Sequence, residues 1–171
     1  NTRGILLGLE CQAQILLARD EVAAARTVLK ESLELSRTLG DGLGEAMALH
    51  QLGLAAQRDG EPAEALRLLA DALGRRHEEE DREDLATSMD SVANAVVAIH
   101  PPLAARLLGA ADGLRTRHRL PDPPESETRR GATLAAARDG LGADAFAAAW
   151  EAGRTAPLDL VVDQALDTVP G

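Results

Sequence analysis

The sequence predicts an all-α chain of stacked helical hairpins, on three observations. Hydrophobic residues make up 45% of the 171, and alanine and leucine supply most of them. Both favour helix, whereas the β-branched residues that favour strands are sparse outside short stretches. No segment alternates apolar and polar residues as a half-buried strand would. The third observation is an internal repeat. Leu49, Leu52, Gly53, Ala56, Ala65, Leu69 and Ala72 recur in kind forty residues earlier as Leu9, Ala13, Leu16, Ala25, Leu29 and Ser32. They recur about forty later as Met89, Val92, Ala93, Val96, Ala104, Leu108 and Ala111. One hairpin cannot bury its apolar face alone, so copies stack, and stacking makes a concave surface of the kind that binds rather than catalyses.

The first helix is expected over 2–18, where Ile5, Leu6, Leu9, Ala13, Leu16 and Leu17 form a wide apolar stripe. Arg19-Asp20-Glu21 breaks that pattern, and a second helix runs over 22–39. Gly40-Asp41-Gly42 stops it, with glycine available for a left-handed cap. The second pair covers 43–58 and 63–77 around Asp59-Gly60-Glu61-Pro62, where Pro62 suits a first helical turn. The run Glu78-Glu79-Glu80-Asp81-Arg82-Glu83-Asp84 reads as a solvated helix N-terminus, with an acidic docking strip or cation site as the sharper alternative. The third pair covers 85–99 and 103–118. Its turn, His100-Pro101-Pro102, is one residue shorter, so the offset falls from 40 to 39 between its helices.

Leu120-Pro121-Asp122-Pro123-Pro124 excludes helix and marks an extended connection. Beyond it the forty-residue period stops. Helices are expected over 125–139, 143–153 and 157–166, the second carrying Phe146 and Trp150 one turn apart. Thr155 reads as the N-cap of the last, whose apolar face is Leu158, Val161, Val162 and Ala165. The domain plan is therefore three extended repeats within 1–119 (about 1–39, 43–78 and 84–119), a proline-rich connection over 120–124, and a helical cap over 125–169. In that plan Phe146 and Trp150 close the open end of the array.

A net charge of −10 repels phosphate backbones, so direct nucleic-acid contact by this segment is disfavoured. The longest uncharged stretch, 91–105, contains two prolines and falls short of a membrane span. No signal peptide is visible, and a single cysteine, Cys11, rules out an intramolecular disulfide. Cys11 reads as a buried small hydrophobe, and the whole is consistent with a cytoplasmic protein. The chain begins at Asn1 inside an apolar helical pattern, which reads as a segment of something larger. His77, His100 and His118 fall at helix ends and a turn, and no serine has a nucleophile-elbow context, so no catalytic residue is expected.

The repeat resembles the tetratricopeptide family, most fully in the second pair through Leu49, Leu52, Gly53, Ala56, Gly60, Ala65, Leu69 and Ala72. The first copy departs at Gln12 and Ser32, and the third lacks the turn glycine. The family period is about thirty-four, so longer helices are implied here. Leu35-Ser36-Arg37-Thr38-Leu39-Gly40-Asp41, Gly53-Leu54-Ala55-Ala56-Gln57-Arg58-Asp59-Gly60-Glu61-Pro62 and Ala104-Ala105-Arg106-Leu107-Leu108-Gly109-Ala110-Ala111-Asp112 are similar to segments of actinobacterial ATP-dependent transcription regulators. So are Leu120-Pro121, Pro123-Pro124, Ala135-Ala136-Ala137-Arg138, Leu141-Gly142 and Phe146-Ala147-Ala148-Ala149-Trp150-Glu151-Ala152-Gly153-Arg154. These regulators carry a signalling ATPase core and often a LuxR-type helix-turn-helix. The resemblance implies a right-handed superhelix of about three hairpins with a helical cap, acting as the sensor or regulatory arm of such a protein. No phosphate-binding loop or helix-turn-helix is present, so no cofactor is expected in this segment and ATP belongs to the rest of the parent.

Family geometry puts the first helix of each pair on the concave side. The groove set is then Leu7, Glu10, Gln14 and Leu17; Met47, His50, Leu54 and Gln57; and Thr87, Asp90, Asn94 and Val97. A protein partner or small effector is expected there, gripped along the polar row Glu10–His50–Asp90. A metal at that row is disfavoured, because helices packed about 8–10 Å apart hold donors too far apart for zinc. The alternative is an assembly scaffold or self-association module without an effector, which leaves a homo-oligomer open.

Overall fold

The structure, a computed structural model, describes residues 2–121 and 127–169. Among these lie nine α-helices and no strand. No helix among them is long and apolar enough to cross a membrane. They gather into two units, residues 1–79 and 80–171, so the third pair shares a unit with the terminal helices. Asp122, Pro123, Pro124 and the start of the helix expected at 125 lie outside the described residues.

The first unit contains α1 (Thr2–Ala18), α2 (Val22–Leu39), α3 (Gly42–Arg58) and α4 (Pro62–Glu78), each packed on the next. The connections repeat as closely as the helices do. The amides of Glu21, Asp41 and Glu61 each donate to a carbonyl five residues back, on Leu16, Ser36 and Ala56, at 2.9 Å. That closure needs a left-handed residue just before the donor. Asp20, Gly40 and Gly60 supply it, and Glu80 takes the same conformation, so it recurs every twenty residues along the chain at φ 61°, 65°, 73° and 55°. Glycine takes this conformation freely, whereas a residue with a Cβ meets its following carbonyl at a cost of about 1–2 kcal/mol. Glu80→Gly is therefore expected to stabilise the chain by about 1 kcal/mol; an unchanged or lowered melting temperature would contradict this.

Helix starts recur too. The Asp41 carboxylate accepts from the Gly44 amide at 3.0 Å, and Asp81 does the same for Asp84 at 3.4 Å. The acidic run thus does what a helix N-terminus asks of it, with Asp81 as the cap and Glu83 and Asp84 in the first turn.

All seven motif residues of the second pair are buried, and a Cβ on Gly53 would come within 2.6 Å of Leu69 Cγ. Small residues here let α3 and α4 approach closely. In α1 the apolar stripe is narrower than expected: Leu6 and Ala13 are buried, Leu9, Leu16 and Leu17 half-buried, and Ile5 is exposed. Cys11 is exposed, contrary to expectation. It stands two residues from Ala13, and the helix turns about 200° over that distance, carrying it to the opposite face. Arg26 ties α2 to the α3–α4 turn through Asp59 (2.7 Å) and Glu61 (2.8 Å), while Arg58 donates to the Leu17 carbonyl at 3.1 Å.

The second unit begins with the hairpin α5 (Arg82–Val96) and α6 (Pro101–His118). Met89, Val92, Ala93, Val96, Ala104, Leu108 and Ala111 are all fully buried. The shorter turn ends α5 at Val96, earlier than the expected 99. His100 Nδ1 accepts from the Leu103 amide at 3.2 Å and so caps α6, whose first positions are prolines with no N–H to satisfy.

Then follow α7 (Glu127–Leu141), α8 (Ala143–Thr155) and α9 (Leu158–Asp167). α8 lies against α6 at glycine contacts. A Cβ on Gly109 would fall on the Trp150 carbonyl, one on Gly153 on the Arg106 carbonyl, and one on Gly113 within 2.7 Å of the Arg154 carbonyl. Val161, Val162 and Ala165 are buried, as the pattern of α9 predicts. Thr155 is not its N-cap. It ends α8 with its hydroxyl donating to the Glu151 carbonyl at 2.9 Å, and Pro157 takes the cap position. The residue before a proline is driven extended, and Ala156 has φ −67°, ψ 152°, so Thr155 stays two residues before the cap position.

Candidate functional site

In the first unit, α1 and α3 are the two first-of-pair helices, and the cleft they line holds several of the expected groove residues. Gly4, Leu6, Leu7, Glu10, Asp41, Leu43, Gly44 and Met47 surround an open volume of about 600 Å³. Leu7 is 61% exposed and Leu43 49%, so the apolar surface here is accessible to a partner. Gln14, itself exposed, borders with Glu10, Ala13, Leu29, Met47, Ala48 and Gln51 a crevice of only about 10 Å³. That is room for about one water molecule.

Two carboxylates give this cleft its sign. Burial and then the nearby Asp41 carboxylate push Glu10 above its ordinary 4.5. A carboxyl raised by folding contributes stability that is complete below the ordinary value and is lost as pH rises through the folded one. Glu10→Gln is therefore expected to melt higher than the parent at pH 7 and at the same temperature below pH 4; an equal difference at both pH values would refute the sign.

Further along the same helices, Leu17, Leu54 and Gln57 are half-buried, and His50 is buried. The sequence pattern misses Leu6, Asp41 and Leu43 as cleft residues. Leu6 reads there as part of the core stripe, and Asp41 and Leu43 as a turn and a helix start; only the approach of α1 to α3 brings them together.

In the second unit the expected groove residues have a different setting. Thr87 and Val97 are half-buried on α5 and just beyond its end. Asp90 is buried, and its carboxylate accepts from Arg115 Nη2 at 2.6 Å and from Arg130 Nε at 3.3 Å. Burial pushes the Asp90 carboxyl up from its ordinary value, while the guanidinium groups of Arg115 and Arg130 draw it back. Asn94 Nδ2 donates to Thr133 Oγ1 at 3.1 Å. Arg130 and Thr133 both belong to α7, so Asp90 and Asn94 face a helix of their own chain. Nothing near Asp90 in sequence announces Arg115 or Arg130, which stand 25 and 40 residues away.

Phe146 and Trp150, 5.9 Å apart between ring centroids, also face α7. Arg138 lies over the Phe146 ring at 4.8 Å, and Arg130 over Trp150 at 5.8 Å. Among the described residues, no three His, Cys, Asp or Glu side chains gather in metal-binding geometry.

Residues 5–78 match the model of the tetratricopeptide repeat family. The match spans α1 to α4 and ends one residue short of the boundary of the first unit. These two pairs are thus a tetratricopeptide-repeat region. No curated protein and no solved structure matches the chain.

Proposed function

We propose that this chain, with its tetratricopeptide-repeat region over 5–78, is a non-catalytic protein-binding arm. Repeats of this kind generally bind other proteins, and the α1–α3 cleft is the observation that carries the reading. Leu6, Leu7, Leu43 and Met47 offer an apolar wall, and Glu10 and Asp41 offer two carboxylates whose mutual repulsion a cation would relieve. The occupant that fits is a peptide segment of a partner protein bearing an aliphatic side chain beside a lysine or arginine.

The test is an NMR titration of the full chain with acetylated, amidated Leu-Lys-Leu and with Leu-Glu-Leu. Shifts confined to α1 and α3, and produced by the lysine peptide alone, support the reading. Equal response to both peptides, or none, overturns it.

The parent of this arm is read as an ATP-dependent transcription regulator in which partner binding biases a nucleotide switch. Support comes from the similarity of the 104–112 and 146–154 segments to such regulators. Sequencing outward in the source genome tests it: a phosphate-binding loop in the same reading frame supports it, and stop codons at both edges refute it. A self-association arm is favoured by one observation, the exposed Ile5 and Ile15 at 54% and 53% on α1. A concentration-independent monomer in sedimentation would remove that reading.

A further inference from the structure

We infer that α7 is a displaceable occupant of the α5–α6 face, and that this face takes an arginine-bearing helix of a partner protein in its place. The face carries the residues that correspond by register to the groove positions expected on the first two pairs. Asp90 and Asn94 stand forty residues after His50 and Leu54, in the corresponding register of the third pair.

The grip on α7 is mostly polar. Arg130 reaches Asp90 at 3.3 Å and Asp112 at 3.8 Å, and Thr133 meets Asn94 at 3.1 Å. Arg130 and Arg138, eight residues apart on one side of α7, lie over Trp150 and Phe146, which are the only phenylalanine and tryptophan of the chain. Of its described side chains only Thr133 and Ala137 are buried, with Arg130, Leu134 and Leu141 half-buried. Gly131, Ala132, Ala135 and Ala136 are exposed.

The neighbouring α8 is held quite differently. Its backbone touches that of α6 at Gly109 and Gly153, a close-packed approach without room for a Cβ on either glycine. Only Phe146 and Gly153 are buried on α8, so the two helices differ less in buried side chains than in this backbone approach to α6, and local opening draws on the element held without it, α7. When α7 leaves, it uncovers the carboxylates of Asp90 and Asp112, the Asn94 amide and two aromatic faces. That set recognises guanidinium groups two helical turns apart, with residues the size of Thr133 and Ala137, the buried side chains of α7, between them.

The probe is a fluorescein-labelled peptide of the α7 sequence, Glu127–Leu141, added to the full chain and to its Arg130→Ala variant. The chain's own α7 competes at high effective concentration, so weakening it raises the apparent affinity for the peptide. The expected result is at least tenfold tighter binding by the variant, and no binding of a peptide in which Arg130 is replaced by alanine. Equal affinity for parent and variant, no binding to either, or exchange of α7 between copies without peptide uptake would overturn the inference. Hydrogen exchange on the parent gives an independent reading. Amides of α7 should exchange at least tenfold faster than those of α8, and equal protection would also overturn it. If Arg130→Ala removes protection from α6 and α8 as well, Thr133→Val serves in its place, deleting only the Asn94 contact.

Discussion

Asp90→Ala is expected to cost the second unit about 3–5 kcal/mol. The Asp90 carboxylate is the shared acceptor of two guanidinium groups, and both it and Arg115 are only 7% exposed. Removing it leaves the Arg115 charge buried with this counter-ion gone, and that desolvation is where the loss arises. A domain is stable by only about 5–15 kcal/mol in total, so the variant loses a large share of its margin. Trp150 is the sole tryptophan and lies in this unit, so the denaturant midpoint of its fluorescence reads the effect directly. The exposed Asp139→Ala is the control. A midpoint shift no larger than the control's would show that the pair carries no weight.

The same argument predicts a recovery. Asp90→Leu combined with Arg115→Met should regain most of the loss, because apolar groups of similar volume bring no charge to desolvate. The direction of the Asp90 titration agrees with this. Its carboxyl is raised on folding despite two cationic partners, so burial outweighs their attraction. Its contribution is complete below its ordinary value near 3.8 and declines as pH rises through the folded one.

Gly153→Ala is the second large effect, at about 3 kcal/mol of destabilisation. The added methyl would fall on the Arg106 carbonyl of α6, which is backbone and cannot swing aside as a side chain would. Either α8 moves outward, losing the contacts of Phe146, or α6 distorts within the core. Gly131→Ala makes the contrast: it is a helix-interior glycine with nothing within 4 Å of the added Cβ. There the usual advantage of alanine in a helix applies, a gain of about 0.5–1 kcal/mol. Two identical substitutions of opposite sign, read by the same fluorescence midpoint, would establish that backbone approach holds α8 to α6. Loss of stability from both would refute it.

Much of the fold is legible in the sequence. The repeat positions Leu49, Leu52 and Leu69 predict burial correctly because a helix carries residues three and four apart to one side. Gly40 and Gly60 predict the turns because the left-handed conformation selects glycine. Asp20 and Glu80 take the same conformation without that signal, and only the twenty-residue spacing links them to the glycines. Thr155 fails as a cap because the Ala156–Pro157 step is extended. Cys11 fails as a buried residue because, two positions from the buried Ala13, it lies on the opposite face of α1.

The groove set divides along the same line. Leu7, Glu10, Gln14 and Met47 do line clefts on α1 and α3, where neighbouring copies of one repeat determine the surroundings. Asp90 and Asn94 share the register of that set yet meet α7, a helix outside the repeat. By itself the sequence determined what depends on residues a few positions apart: the order and approximate bounds of the helices, the glycine turns and the buried face of each hairpin. Tertiary structure alone decided which helix covers which face. The pairing of Asp90 with Arg130 across forty residues, and of Gly109 with the α8 backbone, arises from packing that no local pattern encodes.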